Sequence, residues 1–364
     1  MKIGRGVRGT AGVLALAVLA FFTLVATGRY LARAGWAEAK ILWRARSIAD
    51  IVRDSATVAA TRAKLELVLA ARTFAADSVK LKAKQSFTTY SHIDRDTLVV
   101  VLTAAFQDRL AYKTWWFPIV GRVPYKGYFD VRDAKRAASD LTREGFDAYL
   151  RPATAFSTLG YLNDPLLSTT LDEDSVSLVN TVIHELTHNT FYASGQAVFN
   201  ESFANFVGAH GAEWFYAARA DRARVALARE DWARQKMLGR FWSGVYNSVD
   251  SAFTAHPSSR DERLAAREIV FTGARARFAR EIEPELPGYD AGKPLQLHLD
   301  NAVLMSRRLY RTGLGDFDAI YEREGERLPN AIARIIALAR SRPGDPYVAV
   351  RAYVASGSAE TPAK

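Results

Sequence analysis

The feature that most constrains this chain is a pair of histidines four residues apart, His184 and His188, with Glu185 directly after the first. An α-helix turns once in 3.6 residues, so side chains at this spacing lie one above the other on one face. Both imidazoles can then bind one ion, and Glu185 can take a proton from a water beside it. We predict a helix over residues 174–192. Its buried face is made by Val179, Val182, Ile183 and Leu186.

A third ligand is predicted on the next helix, which begins near Ala197 after a turn at Gly195. It carries Glu201, thirteen residues after His188. Helices joined by a short turn pack antiparallel, so Glu201 can face back towards the histidines. Asn205 lies one turn further on and is suited to hold a ligand in place. We therefore predict one Zn²⁺ bound by His184, His188 and Glu201, with Glu185 as the general base.

The chain contains no cysteine, which excludes disulfides, thiolate-bound zinc and thiol catalysis. The remaining histidines have no partner at metal-binding spacing. They are His92, His210, His256 and His298. Stabilisation of a developing oxyanion is left to several candidates. These are Tyr310 and His298, on one predicted helix over residues 295–311, with Tyr161 and Tyr128 as rivals.

The N-terminus has the layout of a secretory signal or a signal anchor. A basic segment, residues 1–10, precedes an apolar run over residues 11–28 that is just long enough to span a bilayer. This pattern predicts export, with the segment either cleaved or retained as an anchor. The protein is then expected in a bacterial cell envelope, either anchored in the inner membrane with its catalytic domain in the periplasm or secreted to the periplasm.

The remaining pattern predicts a predominantly helical α+β fold with a small mixed sheet. Amphipathic, membrane-proximal helices are predicted within residues 29–80, specifically over 30–53 and 55–75, followed by one catalytic domain over residues 81–354 and a flexible tail over 355–364. Strands are predicted at 97–106, 113–120, 123–129 and 146–151, with a turn at Gly121 and a helix over 130–144. From Asp174 onward the pattern is helical.

The net charge of +10 is spread along helices in which acidic residues alternate with arginines. This distribution favours a solvated basic surface, or one that faces anionic lipid, over a nucleic-acid-binding surface. No nucleic-acid partner is predicted. The expected partners are a peptide or protein substrate and the membrane, through the N-terminal helix.

Several separate motifs, in order from residue 30 to residue 340, resemble the putative aminopeptidase family of bacterial envelope proteins. The motifs are Lys113–Pro118, Tyr125–Phe129, Ser157–Tyr161 with Asp164 and Pro165, His184–His188 and Phe199–Ala204. The resemblance implies a zincin-like metallopeptidase of the gluzincin type, with His184, His188 and Glu201 as ligands and Glu185 as base.

The chain departs from that family in three respects. It lacks the family's lipidation cysteine. It also lacks the family's cysteine pair, whose two positions are occupied here by Trp116 and Arg122. The link from His188 to Glu201 is shorter than in thermolysin-like enzymes. It also has no counterpart of the Gly-x-Met-Glu-Asn strand that binds a substrate amine in well-known zinc aminopeptidases.

The predicted function is zinc-dependent peptide hydrolysis, with aminopeptidase activity implied by the resemblance. The alternative is an envelope protein that keeps the zinc fold for a structural or partner-binding role without turnover. A third hypothesis, binding of anionic lipid or glycan through the basic helices, explains the charge but not the segment 184–205.

Overall fold

Helices form most of the chain in the computed structural model, which describes residues 26–93, 99–117, 121–153, 164–286 and 298–358. The helices before residue 175 are α1 (Ala26–Trp43), α2 (Ile48–Arg53), α3 (Ala59–Asp77), α4 (Val131–Arg143) and α5 (Ser168–Leu171). The later helices are α6 (Ser175–Thr190), α7 (Ala197–Ala217), α8 (Arg222–Ala255), α9 (Arg260–Glu281), α10 (Asn301–Arg308), α11 (Leu314–Arg323), α12 (Leu328–Ser341) and α13 (Pro346–Ser358). The predicted α+β class, predominantly helical with small sheets, is confirmed.

The strands form three small sheets within the described residues. They are β1 (Arg46–Ser47), β2 (Thr89–Ser91), β3 (Val99–Phe106), β4 (Trp115–Phe117), β5 (Gly121–Val123), β6 (Tyr125–Tyr128), β7 (Phe146–Ala153) and β8 (Leu166–Leu167). The order β6-β3-β7 is antiparallel throughout, whereas β2 pairs antiparallel with β1 and parallel with β8. The predicted strands at 97–106 and 146–151 correspond to β3 and β7. The segments predicted on either side of Gly121 contain three shorter strands instead of two.

Helices α6 and α7 form an antiparallel pair because the loop between them is closed by specific hydrogen bonds. The buried side chain of Asn200 accepts from the Ala193 N–H at 2.9 Å and donates to the Ala193 carbonyl at 2.8 Å. Gly195 adopts a φ of +75°, which favours glycine. Helix α6 starts at the predicted cap, where Asp174 accepts from two backbone N–H groups.

The two helices approach closely at small residues of α7. A Cβ atom added at Gly208 would lie 2.3 Å from Asn180 Oδ1 and 2.9 Å from the Asn180 carbonyl oxygen. At Gly211 the added Cβ would lie 2.8 Å from Ile183 Cγ2. This close approach at Gly208 and Gly211 brings Glu201 opposite the histidines of α6.

Helix α7 is buried on nearly all sides, which explains its apolar composition. Its phenylalanines pack away from α6, with Phe199 stacked on Phe203 at a centroid distance of 5.9 Å and Phe206 5.7 Å from Phe317 of α11. Burial of each such ring contributes about 1.5–3 kcal/mol. A second apolar cluster lies between α8, α9 and α10. The elements that carry the candidate site are thus anchored in a continuous core.

Helix α3 belongs to that same core. Its residues Leu65, Val68 and Ala71 are fully buried in one cluster with α6 and α7. The core therefore continues across the boundary predicted near residue 80, and the apolar face of α3 is turned inward.

The helix predicted over residues 30–53 is interrupted in the structure. Arg46 and Ser47 pair with Tyr90 and Thr89 as strand β1, and the Ser47 hydroxyl then caps α2 by accepting from the Asp50 N–H. A helical periodicity does not reveal this break, because the pairing strand is more than forty residues away in the chain. The prediction of a single helix here is wrong.

Among the described residues, no helix combines the length and apolarity needed to cross a bilayer. Residues 1–25, with most of the predicted apolar run, lie outside the described residues, as do residues 359–364 of the predicted tail. The helix predicted over 295–311 is shorter in the structure. It begins at Asn301, where Asp300 caps it by accepting from the Val303 N–H at 2.8 Å.

Candidate metal centre

The three predicted ligands meet between α6 and α7. His184 Nε2 lies 3.5 Å from Glu201 Oε2, and His188 Nε2 lies 3.7 Å from the same oxygen. The two imidazole rings are 5.0 Å apart and nearly perpendicular. His188 and Glu201 are buried and His184 is partly buried. One ligand atom from each residue lies within 4.8 Å of the other two.

These distances fit a metal ion better than direct hydrogen bonds. Hydrogen bonds between nitrogen and oxygen are usually 2.7–3.2 Å long. In a tetrahedral zinc site with bonds of about 2.0–2.1 Å, neighbouring ligand atoms lie roughly 3.3 Å apart. Two neutral imidazoles and one carboxylate are also the donor set of many catalytic zinc sites. The triad therefore fits a zinc ion in both spacing and chemistry.

The carboxylate and the imidazoles of the triad shift one another's pKa values. Burial alone would raise the pKa of Glu201, but the His184 and His188 imidazoles hold that pKa well below its usual range. Glu201 therefore remains a carboxylate in a buried site, and a buried charge requires a compensating partner. Burial alone would lower the pKa of His188, but the Glu201 carboxylate raises it.

Tyr125 of β6 contacts the carboxylate oxygen of Glu201 that does not face the histidines. Its hydroxyl donates to Glu201 Oε1 at 3.3 Å, which leaves Oε2 directed at the histidines. Burial raises the pKa of Tyr125 far above the ordinary value, so the hydroxyl keeps its proton for this bond. The sequence analysis missed Tyr125 as a site residue. Alternation along the strand could have separated it from Tyr128, because residues three apart in a strand point to opposite faces.

Glu185 is placed to act at the mouth of the site. Its Oε2 is buried and has no hydrogen-bond partner among the described residues. Such an orphaned oxygen is uncommon in a stable interior and is typical of a group held ready for a ligand. Glu185 and His184 line an open cleft of about 510 Å³ between α6, α7 and α8. The cleft therefore reaches the triad at His184, whereas His188 and Glu201 are buried behind it.

Tyr310 lies near His184, at a ring-centroid distance of 6.3 Å. Its hydroxyl accepts a hydrogen bond of 2.9 Å from Arg151 Nη2, and its carbonyl accepts one of 3.0 Å from Asn205 Nδ2. Asn205 was predicted to hold a metal ligand in place. The bond found in the structure instead fixes the backbone that carries Tyr310. Arg151 is a second site residue that the sequence analysis missed, because its strand lies far from the motif in the chain.

The other predicted oxyanion stabilisers lie elsewhere or outside the described residues. Tyr128 points to the opposite face of β6, where its ring packs against Tyr30 at 5.8 Å. His298 is exposed and lies before the start of α10. His298 and Tyr310 were paired because one helix was predicted to carry both. In the structure both residues lie outside α10. Tyr161 lies outside the described residues.

His210, predicted to be structural, belongs to a separate polar cluster on α7, α8 and α11. Its Nε2 lies 3.0 Å from Asp318 Oδ1, and Asp318 also accepts from Trp232 Nε1 at 3.0 Å and Lys236 Nζ at 2.6 Å. The carboxylate of Asp318 is thus fully engaged by three side chains. This network joins the helices that form one wall of the cleft.

Comparison with known proteins gives one match. A family model described as a putative aminopeptidase matches residues 29–345, which is most of the chain and includes every residue of the metal centre. No curated protein and no solved structure matches the chain.

Proposed function

This chain belongs to the putative aminopeptidase family, and we propose that it is a zinc-dependent peptidase with a zincin-like active site. The observation that carries the proposal is the meeting of His184, His188 and Glu201 beside a cleft that His184 lines. Zinc, when bound, supplies a Lewis acid that polarises a peptide carbonyl and lowers the pKa of a water molecule beside it.

Glu185 is the general base of the proposed reaction. It follows His184 directly on α6, and its buried Oε2 needs a proton donor that the described residues do not provide. A water molecule in the cleft can supply that proton and then attack the carbonyl carbon. Glu185 passes the proton to the amine that leaves when the peptide bond breaks. One proton is thus taken up and released in each cycle.

Tyr310 is proposed to stabilise the negative charge that develops on the carbonyl oxygen. Burial raises its pKa well above the ordinary value, so the hydroxyl stays protonated. Arg151 occupies the acceptor side of this oxygen, which leaves the O–H proton to be donated into the site. Donors aimed in advance at developing charge commonly contribute about 2.7–4 kcal/mol to catalysis. Tyr125 is a weaker candidate because its proton is used by Glu201.

Aminopeptidase specificity is proposed from the family and from the charge of the cleft. Two carboxylates, Glu173 and Asp231, line it beside Glu185. Glu173 accepts from the Thr181 hydroxyl at 2.8 Å and Asp231 pairs with Arg234, so both are held in place. Fixed negative charge attracts the α-ammonium group of a peptide N-terminus. Comparing cleavage of free peptides with that of the same peptides blocked at the amine tests this point.

The cell envelope is the proposed location. Its support is the sequence of residues 1–28, in which basic residues precede an apolar run in the layout of a signal or anchor. Fractionation of cells that express the full chain, with and without residues 1–28, tests the location.

The decisive experiment replaces Glu185 with Gln. The variant is expected to bind one zinc ion per chain, because the three ligands are unchanged, and to lose hydrolysis by at least about 100-fold. Zinc content is measured by atomic absorption and turnover with fluorogenic peptides. Glu281→Gln, at an exposed position on α9, is the matched control and should retain full activity. Hydrolysis at the parent rate by Glu185→Gln, or zinc binding without hydrolysis by the parent chain, would contradict the proposal.

A further inference from the structure

One face of α1 exposes an unusual combination of basic and aromatic side chains. Five residues spaced alternately by four and three positions form a single stripe along this helix. They are Arg29, Arg33, Trp36, Lys40 and Trp43. All five are exposed, and the two tryptophans retain 62% and 86% of their accessible surface. We call this set the α1 stripe.

The opposite face of α1 is fixed to the body of the protein. The Tyr30 hydroxyl donates to the Gly127 carbonyl at 2.8 Å, and its ring lies 5.8 Å from Phe117. Ile41 is buried and packs in a cluster with Val99 and Val101. The helix therefore has a packed inner face, and the α1 stripe is its outer face. Exposure of two tryptophans on a helix that already buries another face indicates an interaction surface.

The chemistry of the α1 stripe fits the surface of a lipid bilayer. Tryptophan prefers the membrane–water interface, where its ring is among lipid chains and its N–H meets headgroups. Arginine and lysine beside it are attracted to anionic headgroups. Lys40 Nζ lies 5.7 Å from the centroid of the Trp36 ring, so charge and aromatic surface are presented together.

The charge of the sequence around α1 also fits the surface of a lipid bilayer. Residues 26–47 contain five basic residues and one acidic residue. The basic residues are Arg29, Arg33, Lys40, Arg44 and Arg46, and the acidic one is Glu38. One neighbouring carboxylate, Asp133, pairs with Arg33 at 2.9 Å, yet the Arg33 side chain stays 72% exposed. The apolar run of residues 11–28 leads directly into α1.

We propose that the α1 stripe docks this protein on an anionic lipid bilayer, with α1 lying in the plane of the headgroups. Helix α3, the second amphipathic helix near the N-terminus, does not take part through its apolar face, because that face is buried in the core. The docking surface is therefore one helix face and not the whole segment 29–80. This inference is independent of peptidase activity.

Docking through α1 also sets the position of the metal centre. Tyr30 of α1 bonds to Gly127 of β6, and two residues earlier on that strand Tyr125 bonds to the ligand Glu201. Strand β6 therefore contacts both helix α1 and the candidate site. A bilayer beneath the α1 stripe holds the metal centre at a fixed distance from the membrane.

The test uses the full chain in vesicles of phosphatidylcholine alone or mixed with phosphatidylglycerol, each with brominated acyl chains that quench nearby tryptophan. Fluorescence of the parent chain is expected to be quenched, and more strongly with phosphatidylglycerol. The double variant Trp36→Phe, Trp43→Phe should lose most of the quenchable emission. Both side chains are exposed, so the core is unchanged and circular dichroism should match the parent.

A pair of charge variants distinguishes an effect of the α1 stripe from an effect of net charge alone. Arg29→Glu with Lys40→Glu, two changes within the α1 stripe, should abolish the additional quenching by phosphatidylglycerol. Arg222→Glu with Arg240→Glu, two exposed positions on α8, makes the same change in net charge and should leave that quenching intact. The proposal is overturned if the double tryptophan variant keeps the quenching of the parent, or if the two charge variants behave alike.

Discussion

Arg151 donates from Nη2 to the hydroxyl oxygen of Tyr310 at 2.9 Å, across a sequence separation of 159 residues. The guanidinium comes from strand β7 and the tyrosine from the segment after α10, and the tyrosine ring lies near His184 of α6. The bond holds a tyrosine near the triad whose own proton is not used by Glu201.

Tyr310→Phe is expected to lower kcat by roughly 100-fold, in line with the loss of one oxyanion donor, with little change in KM. Zinc content should stay at one ion per chain. Steady-state kinetics and metal analysis give both quantities. Tyr128→Phe is the matched control and should retain parent kinetics, because Tyr128 faces away from the site. Equal kcat for parent and Tyr310→Phe would remove Tyr310 from the mechanism.

Glu201→Gln is expected to weaken zinc binding strongly, because an amide supplies no charge to balance the ion in a buried site. At a free zinc concentration 100 times its dissociation constant, binding stabilises the parent by about 2.7 kcal/mol. The melting temperature of the parent should therefore fall on addition of a chelator. That of Glu201→Gln should be nearly the same with and without chelator. A chelator shift of parental size in the variant would show that Glu201 is not a ligand.

Gly208→Ala is expected to separate α6 from α7, because the new Cβ would lie 2.9 Å from a backbone oxygen of Asn180. Overpacking of this kind commonly costs about 1–3 kcal/mol. Zinc affinity should fall as well, since His184 lies on the same contact. Chemical denaturation and zinc titration measure the two effects.

Gly273→Ala on α9 is the control for this change. A Cβ at Gly273 has no atom within 4 Å, so alanine should stabilise the helix by up to about 1 kcal/mol. If Gly208→Ala were as stable as Gly273→Ala, the close approach of the two helices would not constrain the site.

Asp300 predicts a pH dependence of stability that is separate from the metal centre. Burial and, second, the charge of Asp147 raise its pKa from 3.8 to about 6. The folded chain therefore binds a proton more tightly than the unfolded chain. Binding of this proton stabilises the folded chain. That contribution is fully present below about pH 4 and is lost as the pH rises through about 6. At pH 7 the ionised group costs up to about 3 kcal/mol.

Asp300→Asn should remove that cost, because asparagine is neutral and remains a good cap for α10. The variant is expected to be more stable than the parent at pH 7 and to lose this advantage near pH 4. Thermal unfolding at several pH values measures the difference. An advantage that did not vary with pH would contradict this assignment.

The local pattern was sufficient for the elements that carry the metal centre. Histidines at i and i+4, a capping Asp174, a glycine turn and small residues on α7 all act within a stretch of about forty residues. The strands β3 and β7 and the helix α4 were also predicted near their observed bounds. The broken N-terminal helix was not, because strand β1 forms only where β2 is present to pair with it.

The sequence by itself was sufficient to predict which three residues meet at the candidate site and which helix pair carries them, because these depend on contacts between neighbours in the chain. Only the tertiary structure decided which tyrosine faces the site, that Tyr125 holds Glu201, and that Arg151 orients Tyr310. Tyr125 lies 76 residues before Glu201 in the chain, and Arg151 lies 159 residues before Tyr310. Their places depend on how the sheet and α10 pack against α7, and no periodicity in a single segment encodes that packing.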